Sequence, residues 1–161
     1  MAIVWMGIND VGNSYWDGFV TPYDAILDVY FAQLQNLYDA GIRYFTLFTI
    51  PPFDQAPVFA EQTAQNMDYV RGNISTYNAD LVTRLATFET ANSGVTGTIF
   101  NTTESFYTVL DDPTTYGSPD ATCMNADGTS CLWYDTYHPG QAIQKLVAEN
   151  FVKAMSGIFS L

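Results

Sequence analysis

Residues Ala2, Ile3, Val4, Trp5 and Met6 form an uninterrupted apolar run that stops at Gly7. A strand with one face in water alternates apolar and polar residues. One that is apolar throughout needs cover on both faces, as inside a parallel sheet. Parallel neighbours cannot be joined by a hairpin, so such a chain alternates strands with crossover helices. The remaining sequence follows that rule. Thr21 is placed to cap a helix, with Pro22 at its first position and Asp24 three residues after the cap. Tyr23, Ile26, Leu27, Tyr30, Phe31, Leu34, Leu37 and Tyr38 then repeat at helical spacing up to Gly41. A second strand is expected over 43–49, closed by Pro51-Pro52. A long helix is expected over 63–91, with Met67, Val70, Ile74, Tyr77, Leu81, Leu85 and Phe88 on one face. A third strand over 95–100, a short helix over 104–110, an irregular loop over 113–132 and a last helix over 139–155 complete the pattern. The fold class is α/β with a parallel sheet, and no linker divides the chain.

A length of 161 residues suits one domain or part of one. Hydrophobic residues at 48% against 14% charged ones can fill a core, which excludes a disordered tail. The net charge of -12 is spread along the chain and repels phosphate backbones and anionic lipid heads. Nucleic acid and membrane surfaces are therefore poor partners, and uncharged substrates fit better.

Several features suit secretion. Lysine is scarce while Thr, Asn, Tyr and Gly are common, and the sequons at Asn73 and Asn101 could carry N-glycans or be chance triplets. Cys123 and Cys131 enclose a short polar loop that suits a local disulfide, with two free thiols as the alternative. Residues 1–6 carry neither a basic region nor a cleavage site and are too short to span a bilayer. A secreted composition without a signal peptide leads to the expectation that the front of the protein is missing.

Ligands of open α/β sheets bind beyond the carboxyl ends of the strands, which directs attention to Gly7-Ile8-Asn9-Asp10 after the first run. Glycine permits a sharp turn, and the Asn amide could donate to a developing oxyanion, although a strand-ending G-x-N-D is often only a turn. The second candidate is Asp135-Thr136-Tyr137-His138-Pro139, which holds the chain's single histidine. A carboxylate three residues before an imidazole can bond one ring nitrogen and leave the other free as a base. Coincidence, a helix cap or a surface pair would give the same spacing. Two ligands alone make a poor metal site. Tyr15, Trp16, Trp133, Tyr134 and Tyr137 crowd around both motifs and suit either stacking on sugar rings at a substrate rim or plain packing.

Taken together and in this order, the two motifs resemble the GDSL-type, or SGNH, hydrolases. Gly7, Asn9 and Asp10 look like that family's third block, and Asp135 with His138 like its fifth. The aromatic-rich wording W-M-G-I-N-D and W-Y-D-T-Y-H-P is most similar to secreted fungal members grouped as carbohydrate esterase family sixteen. The resemblance implies a three-layer α/β/α, flavodoxin-like fold of five parallel strands and a Ser-His-Asp triad without cofactor or metal. His138 would be the base, Asp135 its orienting acid and Asn9 an oxyanion donor, acting on esters such as acetylated saccharides. None of the serines, Ser14 included, stands in the family's G-D-S context. The N-terminal strands and the nucleophile are therefore expected upstream of residue 1. The full-length protein is expected to be a monomer. Without those strands, the 2–6 run would become an apolar edge prone to self-association. The rival expectation is a secreted carbohydrate-binding protein that has lost catalysis.

Overall fold

The computed structural model describes residues 1–14 and 17–157. Their contacts divide into two units, one of Met1–Pro51 with Thr63–Asn101 and the other of Pro52–Gln62 with the chain from Thr102 onward.

The first unit is built on a parallel three-stranded sheet, β1 (Ala2–Val4), β2 (Tyr44–Phe48) and β3 (Thr96–Phe100), with β2 in the middle. The class expected from the apolar runs is the class found. Phe45, Thr46, Leu47 and Phe48 are all buried, as a strand covered on both faces requires. The crossovers are helical. Helices α1 (Ile8–Ser14) and α2 (Asp24–Asp39) lie between β1 and β2, and α3 (Ala64–Ala91) lies between β2 and β3. Val70, Asn73, Tyr77, Leu81, Leu85 and Phe88 form the buried stripe of α3, and Leu27 and Leu34 that of α2. Leu27, Leu34, Tyr77, Leu81, Leu85 and Phe88 join Val11, Tyr23, Phe45, Leu47 and Ile50 in one continuous core. Thr63 caps α3 by accepting the Asn66 amide. Beyond the core, Arg84 on α3 reaches Asp24 and Asp28 on α2.

Local departures from the sequence reading have physical causes. Strand β1 ends at Val4 rather than at residue 6. The Trp5 indole instead donates to the Thr49 carbonyl at 3.1 Å and packs on Phe48, which draws the chain out of the ladder. Thr21 does not cap α2, which starts three residues later. Its backbone amide donates to the Asn73 carboxamide, and the capping position passes to Tyr23. Asn73, one of the two candidate glycan acceptors, is buried in the folded chain. The side chain lies within the buried stripe of α3 at 0% exposure and is bonded on both sides, so the sequon is structural rather than presented. Asn101, after β3, is exposed.

In the second unit α4 (Thr103–Leu110) packs on α5 (Gln141–Met155), with Asn150 donating to Ser105. Phe106, Val109, Leu132, Trp133, Ile143 and Val147 are buried there. Helix α5 begins after Gly140, not at Pro139. Two 3-10 turns, Phe53–Gln55 and Pro57–Phe59, belong to this unit as well. Among the described residues no helix is long and apolar enough to cross a membrane.

Gly7 is the sharpest backbone requirement of the first unit. Its φ is +113°, and the Tyr77 phenol lies where a Cβ would stand, with its hydroxyl bonded to the Met6 carbonyl. Burial pushes the Tyr77 hydroxyl up to about 12, so it stays protonated and can donate. Gly7→Ala combines left-handed strain with a clash, and we expect a loss of about 2–4 kcal/mol. Urea unfolding checks this, and unchanged stability would mean that Tyr77 does not close over the turn.

Candidate active site

The candidate residues fall in both units. In the first, the segment after β1 is not the turn expected but helix α1, and Asn9 is its second residue. The Asn9 carbonyl accepts from the Asn13 side chain at 2.7 Å, while Asn9 itself is exposed. Gly7 makes the reversal that allows a helix to start immediately after the strand. Asp10 lies in the first turn of α1, where a carboxylate complements the helix N-terminus. Tyr15 and Trp16 lie outside the described residues.

In the second unit the D-T-Y-H-P segment is an arch standing on a small hydrogen-bonded platform. The Trp133 amide donates to the Cys123 carbonyl at 3.2 Å, and the Trp133 carbonyl accepts from Asn125 at 3.0 Å. A Cys123–Cys131 disulfide closes the same loop. The Gly140 amide donates to Leu132 at 2.6 Å, and that of Gln141 to Gly128 at 2.8 Å. A Cβ at Gly140 would come within 2.9 Å of the Cys131 carbonyl, so only glycine fits this crossing. Of the two sequence readings for Trp133, substrate rim or packing, the structure supports packing: it is 1% exposed and its indole donates to the Ala121 carbonyl at 2.8 Å. It is the core on which the arch rests. Gly140, directly before a helix, is the sequence signal for this platform.

The arch is closed at its base by the Tyr134 amide donating to the His138 carbonyl at 2.8 Å. Inside it, Asp135 Oδ1 accepts the backbone amides of Tyr137 and His138, both at 2.8 Å. Asp135 Oδ2 faces His138 Nδ1 at 2.8 Å. These contacts hold the Asp135 carboxyl down to about 2, the Tyr137 amide first, then the His138 ring and the His138 amide. An ionised carboxylate only accepts, so Nδ1 carries the proton. Neutral His138 is then left with a lone pair on Nε2. The ring is 75% exposed, so Nε2 is accessible from outside the arch. Tyr134 is exposed beside it, and Tyr137 is 38% exposed with its ring stacked on Phe53. No group of three or more metal-ligating side chains occurs among the described residues.

Because the folded Asp135 pKa lies below the unfolded value, the stability this group adds is fully present above pH 4. It is lost as the pH falls toward about 2. The Asp135 carboxyl carbon is therefore expected to titrate near pH 2 by NMR, together with the Tyr137 and His138 amides. A midpoint near 4 would mean that the carboxylate is not held by them.

Comparison with known proteins identifies the family. A family profile described as GDSL-like Lipase/Acylhydrolase matches residues 1–151. An acetylesterase of Thermothelomyces thermophilus is 44% identical over 158 residues, which cover 97% of this chain and 52% of the relative. The thermolabile hemolysin of Vibrio parahaemolyticus serotype O3:K6 is 25% identical over 152 residues, covering 80% of this chain and 36% of that protein. The chain thus spans about half, or less, of the length of these relatives. It belongs to the GDSL-like lipase/acylhydrolase family, and its parallel sheet with helical crossovers conforms to that family's three-layer α/β/α fold.

Proposed function

We infer that this chain supplies the base, the orienting acid and one oxyanion donor of a secreted esterase that removes acetyl groups from carbohydrates through an acyl-enzyme. The observation that carries this is the 2.8 Å contact between an ionised Asp135 and His138 Nδ1, which leaves Nε2 as an exposed base. In the first step Nε2 takes the proton of a serine hydroxyl as its oxygen attacks the ester carbonyl. Asn9 donates to the resulting oxyanion, and the imidazolium, steadied by Asp135, returns the proton to the departing alcohol. Water then repeats the cycle on the acyl-serine and releases the acid.

The serine itself is proposed to come from outside these 161 residues, which contain no G-D-S triplet. Ser14, the in-chain serine nearest Asn9, is buried and bonded to the Tyr23 hydroxyl at 2.7 Å, so it presents no free nucleophile. Similarity to an acetylesterase supports the acetyl group. The exposed Tyr134, next to Asp135 in the chain, supports a sugar on the alcohol side, and the acidic surface disfavours anionic substrates. The disulfide and the exposed sequon at Asn101 support secretion.

In the intact protein, turnover of 4-nitrophenyl acetate is expected to fall by about three orders of magnitude or more in His138→Ala and Asp135→Asn. In Asn9→Ala it is expected to fall by roughly a hundredfold or more, as for loss of one oxyanion donor. Full activity in His138→Ala would sink the reading, and an intact protein inert toward all acetate esters would favour the binding-protein rival.

The isolated 161-residue chain is expected to self-associate, because Ile3 and Met6 are 49% and 63% exposed and β1 pairs only with β2 among the described residues. Sedimentation that shows a monodisperse monomer would count against this, and Ile3→Lys should reduce the association.

A further inference from the structure

The segment after β2 makes contacts that the acid–base reading does not use. Pro51 and Pro52 follow β2, and Pro52–Gln62 belongs to the unit that contains the arch. Phe53 is buried, holds Phe59 edge-to-face at 4.9 Å, and stacks on Tyr137 at 5.6 Å with the planes 27° apart. The Val58 amide donates to the Thr136 carbonyl at 3.0 Å. One backbone bond and one ring contact therefore grip the two residues at the crown of the arch, between Asp135 and His138.

The crown is otherwise exposed. The Tyr137 amide is also the leading cause of the low Asp135 pKa, so a shift of the crown would move the carboxylate and, with it, the imidazole. Tyr137 has one ring face occupied by Phe53, so the ring ties the crown to the 52–62 segment.

We propose that Phe53 and Tyr137 are positioning residues. The 52–62 segment clamps the crown through their stacked rings and the Val58–Thr136 bond, and so fixes the Asp135–His138 alignment. The proposal rests on the acid–base reading of that pair for its catalytic consequence, but its structural consequence can be observed without turnover.

Tyr137 is the cleaner test, since a partly exposed ring can be removed without opening the core. Tyr137→Ala is expected to lower kcat on 4-nitrophenyl acetate by about ten- to a hundredfold with little change in KM, the order expected when a catalytic group is misplaced. Tyr137→Phe keeps the stack and should restore most of the rate. Phe53→Leu keeps apolar volume without a ring and should behave like Tyr137→Ala. The direct readout is the far-downfield proton NMR signal of an imidazole Nδ1–H bonded to carboxylate, assigned by its loss in His138→Ala. It should broaden or vanish in Tyr137→Ala and Phe53→Leu and persist in Tyr137→Phe.

An unchanged signal in both ring-removing variants overturns the proposal. So does a Tyr137→Ala variant whose only defect is a raised KM for saccharide esters, since that would make the ring a substrate contact. If the signal is lost as expected but the wild-type protein turns over no ester, the brace stands and the hydrolase reading fails.

Discussion

From Phe45 to Phe48 strand β2 is buried on both faces, and most of the first unit follows from that constraint. A strand buried on both sides and flanked by parallel neighbours forces each return connection to be a helix packed over the sheet, which is where α2 and α3 find their apolar stripes. It also places the carboxyl ends of β1 and β3 at the same edge. The bond from the Thr49 amide to the Phe100 carbonyl extends the pairing beyond the strand ends, and the Trp5 indole closes on the Thr49 carbonyl from the other side. Gly7 then turns the chain at that edge so that Asn9 emerges at the start of α1. The position of Asn9 is thus set by the sheet and the turn at Gly7, and its carbonyl accepts from the Asn13 side chain.

The arch of the second unit solves a different problem, that of fixing two polar side chains on an exposed loop. A surface ion pair ordinarily contributes little, because two flexible side chains must be held together against water. Asp135 escapes this because its side chain is short and one carboxylate oxygen is already bound to two backbone amides of its own loop. The second oxygen is then aimed at His138 Nδ1 with little freedom left to lose. Below the arch, Trp133, the disulfide and the crossing at Gly140 give the loop a rigid base that its length alone would not provide.

Periodicity made α2, α3 and β2 legible in the sequence, because burial on one stripe or on both faces leaves a spacing that no other arrangement requires. Helix α1 was not legible. Ile-Asn-Asp-Val-Gly-Asn-Ser contains a glycine and several turn-forming residues, and it is helical because Val11 is buried in the core over α3. Asn73 is the opposite case. It falls three residues after Val70 and four before Tyr77, so the helical spacing already placed it on the buried stripe while the sequon suggested exposure. The dyad was legible because its geometry is local, carried by a spacing of three. Trp133 was not, since nothing in W-Y-D-T-Y-H-P distinguishes the ring that supports the loop from those that border it; burial in a loop is decided by distant partners such as Ala121 and Cys123.

Exposure of His138 does not count against a role as base. What a base at neutral pH requires is a fixed tautomer, a lone pair aimed outward and a counter-charge that survives the working pH range. The first follows from the Asp135 carboxylate being an acceptor only, and the last from a carboxyl held near 2, far below the pH at which the imidazole would act. None of these depends on excluding water from the ring. Water exclusion matters for the partner of Nε2, where a competing solvent molecule would occupy the place of the hydroxyl. On the proposed hydrolase reading, the arch carries the part of an acid–base device that can be assembled locally, and leaves to a bound substrate and its nucleophile the part that requires a closed surface.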